Sequence, residues 1–96
     1  MTTWFISRHP GAIEWVKQQN IQIDRFENHL DTSLVRAGDV VIGTLPIHLA
    51  AEVCQKGANF YFLSINVTPE QRGIELTCKQ LTEQQCSIQP FRIEKL

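Results

Sequence analysis

Short apolar runs and helical-period stripes alternate along the chain. Thr3, Trp4, Phe5 and Ile6 form a run rich in β-branched and aromatic residues, the pattern of a buried strand. From Pro10 to Gln19 the period changes. Ala12, Ile13 and Val16 share one helical face, while Glu14, Lys17 and Gln18 occupy others. Trp15 lies beside that stripe and is expected to be partly exposed. Pro10 suits the first helical position, where the missing N–H has no partner to lose, and Asn20 suits a left-handed C-cap. Ile21 to Leu30 reads as a second strand. Ile21 and Ile23 alternate with Gln22 and Asp24, as in a half-exposed strand near a sheet edge. Asp31 to Gly38 is a polar loop with Gly38-Asp39 as its turn.

Asp39 to Thr44 contains the consecutive Val40, Val41 and Ile42, which predicts a third strand covered on both faces. Leu45-Pro46 begins a helix running to about Lys56, with Gly57 in the C′ position. Its apolar members Ile47, Ala50, Ala51 and Cys54 recur at helical spacing. Asn59 to Asn66 is a fourth buried strand. Val67 to Gly73 is a loop, Glu75 to Gln85 a weaker helix, and Ser87 to Glu94 a last strand that Pro90 demotes to an edge. Strands alternating with helices predict a three-layer α/β fold with a mostly parallel sheet of about five strands. Right-handed crossovers then bring the ends of strands 1, 3 and 4 to one side.

Length and composition narrow the picture. Residues 1–96 suffice for one domain. The apolar fraction of 43% and charged fraction of 20% are those of an ordinary globular chain. No apolar run approaches the ~20 residues that span a bilayer, and no secretory signal is visible, so a cytoplasmic protein is expected. A net charge of −1 argues against a general binder of double-stranded DNA or RNA. It leaves room for a small, highly charged nucleotide held by a few local donors. Cys54, Cys78 and Cys86 are odd in number and form no CxxC, so all three read as structural. Cys54, within an apolar helix, reads as a small packing residue.

Candidate chemistry gathers in three segments at the predicted carboxyl edge: Ser7-Arg8-His9, Gly43-Thr44-Leu45-Pro46-Ile47-His48, and Ser64-Ile65-Asn66 running on toward Arg72. Ligands of open α/β sheets bind at that edge, and helix N-termini favour an anion. Neither GxGxxG nor a P-loop occurs. The shelf offers Ser7, Thr44, Ser64 and Asn66 as hydrogen-bond donors, Arg8 and Arg72 as cations, and His9 and His48 as titratable groups. Each has a plainer reading. Ser7 and Thr44 are equally good helix caps. Arg8 reads also as a solvated arginine, although a cation beside a helix N-terminus is repelled unless an anion intervenes. His48 reads also as solvent-facing. His29, on another strand without evident partners, reads as structural. Arg36, after the second strand, is within reach of the same edge. Glu14, Glu52 and Glu75 are scattered and form no acid/base pair or metal cluster.

The opening Trp4 to Trp15, the block Gly38 to Pro46, the following His48 to Glu52 and the late Arg72 to Leu76 resemble the small CRISPR-associated proteins of type III loci. The likeness is greatest to the stand-alone VVA-type CRISPR-associated family, and Ser7-Arg8-His9-Pro10-Gly11 is its most specific part. The resemblance implies antiviral signalling. Type III effectors make cyclic oligoadenylates that switch on other defence proteins, and a ring nuclease binds and cuts cyclic tetra-adenylate to end the signal. It also implies a Rossmann-like fold related to cyclic-oligoadenylate-sensing domains and a homodimer with the ring across its two-fold axis. No cofactor is expected.

The expected chemistry is then metal-independent. A ribose 2′-hydroxyl attacks its neighbouring phosphate and leaves di-adenylates with 2′,3′-cyclic phosphate ends. Arg8, His9 and His48 are the expected catalytic residues. Ser7, Gly11, Thr44, Leu45, Pro46, Ser64, Asn66 and Arg72 are the expected ligand-binding ones. Two other readings stay open: a module that sequesters the ring without cutting it, and a protein that docks on a CRISPR effector through an exposed apolar patch, with Trp15 as candidate anchor.

Overall fold

A computed structural model describes residues 1–64 and 87–96. It is an α/β structure. A five-stranded sheet has the order β2-β1-β3-β4-β5. The strands are β1 (Thr3–Ile6), β2 (Arg25–Glu27), β3 (Val40–Gly43), β4 (Asn59–Ser64) and β5 (Ser87–Phe91). The helices are α1 (Pro10–Lys17) and α2 (Ile47–Gln55). β1 pairs in parallel with both β2 and β3, and β3 with β4, whereas β5 runs antiparallel to β4. None of the described helices is long and apolar enough to cross a membrane.

All four residues of β1 are buried, as their aromatic and β-branched side chains require. They alternate between two clusters. Trp4 and Ile6 pack with Val41, Ala50, Val53 and Phe60, and so with α2. Phe5 packs with Ala12, Trp15, Val16, Ile42 and Leu63, and so with α1. The third strand is covered on both faces, as Val40-Val41-Ile42 predicts.

The helix boundaries follow the local chemistry. Pro10 opens α1, and Asn20 adopts the left-handed conformation (φ 57°) just beyond its end. α2 ends with Lys56 as C-cap, and Gly57 (φ 84°) turns the chain back. Pro90 lies on an edge strand opposite Tyr61, where its missing N–H costs no ladder bond on an inner strand.

Three expectations need correction. The second strand is three residues long, not ten. Ile21 and Ile23 pack against the α1 cluster without pairing, so their alternation reflects half-burial and not a ladder. Trp15 is only 6% exposed, because it lies one turn from Ala12 on the same buried face. On α2 the buried residues are Ala50 and Val53, while Ile47 is 73% exposed in the first turn. The predicted helix of residues 75–85, with Cys78, and Cys86 after it lie outside the described residues. Cys54 packs against the α2 cluster, and its Sγ accepts the Ile93 N–H at 3.4 Å.

Candidate functional site

β1 to β4 run parallel, so their carboxyl ends share one edge of the sheet. Ser7, Arg8 and His9 leave β1 there; Thr44, Leu45 and Pro46 leave β3; Ser64 ends β4. Ile6 and Gly43 are register partners, so the first two segments emerge side by side. The strand order also reverses between β1 and β3: β1 leads outward to β2, and β3 to β4 on the other side. Open α/β sheets bind ligands at such a reversal of strand order.

Backbone contacts hold both turns. The Ser7 N–H donates to the Glu27 carbonyl at 3.0 Å, which extends the β1–β2 pairing past Ile6. The Ser7 hydroxyl accepts the His9 N–H at 3.0 Å, a tight turn just before α1. Ser7 is therefore not the helix cap; His9 holds that position, and its side chain makes no capping bond. Thr44 is not a cap either. Its hydroxyl donates to the Leu63 carbonyl at 2.8 Å and ties the β3 exit to the end of β4. Pro46 sits at the N-cap of α2 without a side-chain bond.

Exposure sorts the remaining residues. Arg8, Pro46 and His48 are exposed, and His9, Leu45 and Ser64 are half-buried. Gly11 is buried at the second position of α1, and Leu45 packs against the α2 cluster. His48 is the second residue of α2. Asn66 and Arg72 lie outside the described residues. Among the described residues, no group of three or more His, Cys, Asp and Glu gathers as metal ligands would.

Two residues stand where sequence reasoning did not put them. Arg36 belongs to the opposite edge, because its N–H donates to Asp39 at 3.0 Å, just before β3 begins. His29 follows β2, the parallel neighbour of β1, so it lies on the edge that carries Ser7, Arg8 and His9.

Asp39 was legible only as a turn residue, yet it organises the amino edge of the sheet. Its carboxylate accepts the Thr2 N–H at 2.9 Å, the Arg36 N–H at 3.0 Å and the Trp4 indole N–H at 3.3 Å. Burial alone pushes its carboxyl upward, but these donors outweigh that and hold it below the ordinary carboxylate value.

An apolar groove of about 290 Å³ runs along the α2 face of the sheet, lined by Ile47, Phe62, Phe91 and Ile93 among others. Trp15 does not line it and is itself buried, so Trp15 is not an exposed docking anchor.

The fold and its edge define an α/β protein with an open, mostly parallel sheet and a polar shelf at the strand exits. A family model described as "Putative CRISPR-associated protein (Cas_VVA1548)" matches residues 4–94, and the chain belongs to that family. No curated protein and no solved structure matches the chain.

Proposed function

We propose that the protein is a ring nuclease that binds cyclic tetra-adenylate at this edge and cuts it, switching off type III CRISPR signalling. In this reading the fold is a three-layer, Rossmann-like one related to cyclic-oligoadenylate sensors. The observation that carries it is the side-by-side exit of Ser7-Arg8-His9 and Thr44-Leu45-Pro46 at the reversal of strand order, in a chain of a CRISPR-associated family.

The chemistry asked of the residues is modest. The ring supplies its own nucleophile, a ribose 2′-hydroxyl. The protein holds that oxygen, the phosphorus and the departing 5′-oxygen in line. Arg8, helped by the dipole at the N-terminus of α1, stabilises charge on the phosphate oxygens; Pro10 has no N–H there, and those of Ala12 and Ile13 already donate to the His9 carbonyl. An imidazole serves as general acid or base, taking the 2′-hydroxyl proton or returning one to the 5′-oxygen, and His9 and His48 are the two candidates at this edge. Thr44 positions its turn through Leu63, while Ser64 and the Ser7 turn orient the ring. A homodimer would set two copies of Arg8 around the four phosphates, matching protein to ligand symmetry. Localisation in the cytoplasm, where such signals are made, belongs to the same reading.

The test is incubation of the purified protein with labelled cyclic tetra-adenylate in EDTA, with products resolved by chromatography. Conversion to di-adenylate with cyclic phosphate ends is the expected result. An intact ring that still binds would make the protein a sequestering module. An intact ring without binding would favour the docking reading, for which the exposed Ile47 groove is the surface.

A further inference from the structure

β2 opens on the same edge as the proposed site, and its exit carries a further basic group. The β1–β2 pairing runs one residue past Ile6, where the Ser7 N–H reaches the Glu27 carbonyl at 3.0 Å. Two residues beyond Ile6 stands Arg8, and two beyond its register partner Glu27 stands His29; both are exposed. The His29 backbone is bracketed by fixed points. Before it lies the Glu27 pairing. After it, the Asp31 carboxylate accepts the Ser33 N–H at 3.0 Å and opens a short helical turn at Thr32–Leu34.

Neither basic group is tied up in an ion pair among the described residues. The carboxylate of Glu27 turns to Arg25 at 3.7 Å, and neither Arg8 nor His29 makes an ion pair with another described residue. A guanidinium and an imidazole thus follow neighbouring parallel strands, each two residues past a register pair and each exposed. An imidazole donates one N–H when neutral and two when charged, which suits a phosphate oxygen or a ribose hydroxyl.

We propose that His29 is a ligand-contacting residue of the site, holding a phosphate or ribose oxygen of the bound nucleotide beside Arg8. The inference rests on the nucleotide-binding reading above. It extends the site outward from the β1 and β3 exits across the end of β2, and so enlarges the footprint toward that of a multi-phosphate ligand.

The experiment measures binding of labelled cyclic tetra-adenylate to the unsubstituted protein, His29→Ala and His29→Gln, with thermal denaturation of each. In parallel, the His29 imidazole resonance of the unsubstituted protein is followed as the ring is added. We expect His29→Ala to weaken binding about tenfold, the size of one hydrogen bond to a charged group, with melting unchanged and part of the loss restored by Gln. We also expect the resonance to move with ring occupancy. Equal binding by His29→Ala, or a resonance that stays still at saturation, would overturn the role of His29 and leave the nucleotide reading intact. If the unsubstituted protein fails to bind the ring at all, the nucleotide reading falls and this inference with it.

Discussion

A Cβ placed on Gly43 would lie 2.5 Å from the carbonyl oxygen of Ile6, its register partner on β1. The obstacle is backbone, so it cannot swing aside as a side chain would. Gly43 thus sets how closely β1 and β3 approach at the edge where their two turns emerge. Gly43→Ala is expected to lower stability by about 1–3 kcal/mol, the usual cost of forcing extra volume into a packed position. A urea titration reads it, and ring binding should weaken in the same variant because the two turns are moved apart. An unchanged midpoint would mean that the strands have slack.

Trp15 offers a second check on packing. It is buried with Phe5, Val16 and Ile42 under the sheet face that α1 covers. Trp15→Ala should cost about 3–5 kcal/mol, enough to unfold much of a small domain's population. Circular dichroism through a thermal ramp measures it. A variant that melts normally would show that Trp15 is a surface residue after all.

Asp39 predicts an acid-dependent stability. Its folded carboxyl titrates below the ordinary value of 3.8, so its stabilising effect is complete above that value. The contribution is lost as pH falls through the depressed folded value, when Thr2, Trp4 and Arg36 lose their charged acceptor. Asp39→Asn should flatten the fall of the urea midpoint as pH drops below about 4, and cost about 1–3 kcal/mol at neutral pH. Some slope should remain, because the hydroxyl and N–H of Ser33 lower the Asp31 carboxyl in the same direction.

Site variants separate binding from chemistry. Arg8→Ala should weaken ring binding and slow cleavage together, since its charge acts in both states. Whichever of His9→Ala and His48→Ala removes the general acid or base should slow cleavage by about 10²–10⁴ while binding persists. Single-turnover rates and equilibrium binding on the same samples distinguish these. Normal cleavage by both histidine variants would leave positioning alone as the source of catalysis.

Where the signal is local, the amino-acid sequence already carries the architecture. Pro10, Gly57 and Pro90 each punctuate the chain through their own backbone restrictions, and all three stand where those restrictions require. The buried runs of β1 and β3 are legible because a strand covered on both faces shows no alternation to confuse. Non-local effects are harder. Nothing near Asp39 in sequence announces that Thr2 and Trp4, 37 and 35 residues away, will donate to it. The period-2 pattern of Ile21 and Ile23 imitates a strand because half-burial against a helix produces the same alternation. Ser7 and Thr44 look like helix caps because hydroxyls before helices usually are. Here one closes a turn and the other reaches across to β4. His29 reads as structural in the sequence because its place on the Ser7-Arg8-His9 edge depends on β2 lying parallel beside β1, which is a fact of topology.

The strand order has a consequence for how the molecule comes into being. The first strand made is an inner one: β1 lies between β2 and β3, with both faces destined for burial. As the chain leaves the ribosome, Trp4, Phe5 and Ile6 have no partner on their β3 side until Val40–Gly43 has been synthesised. Their α2-side cover arrives later still. Parallel pairing of this kind is inherently non-local and slow. A nascent chain halted before β3 therefore displays the Trp4 and Ile6 face of β1 uncovered, an apolar surface of the kind that chaperones bind and that aggregates when they do not.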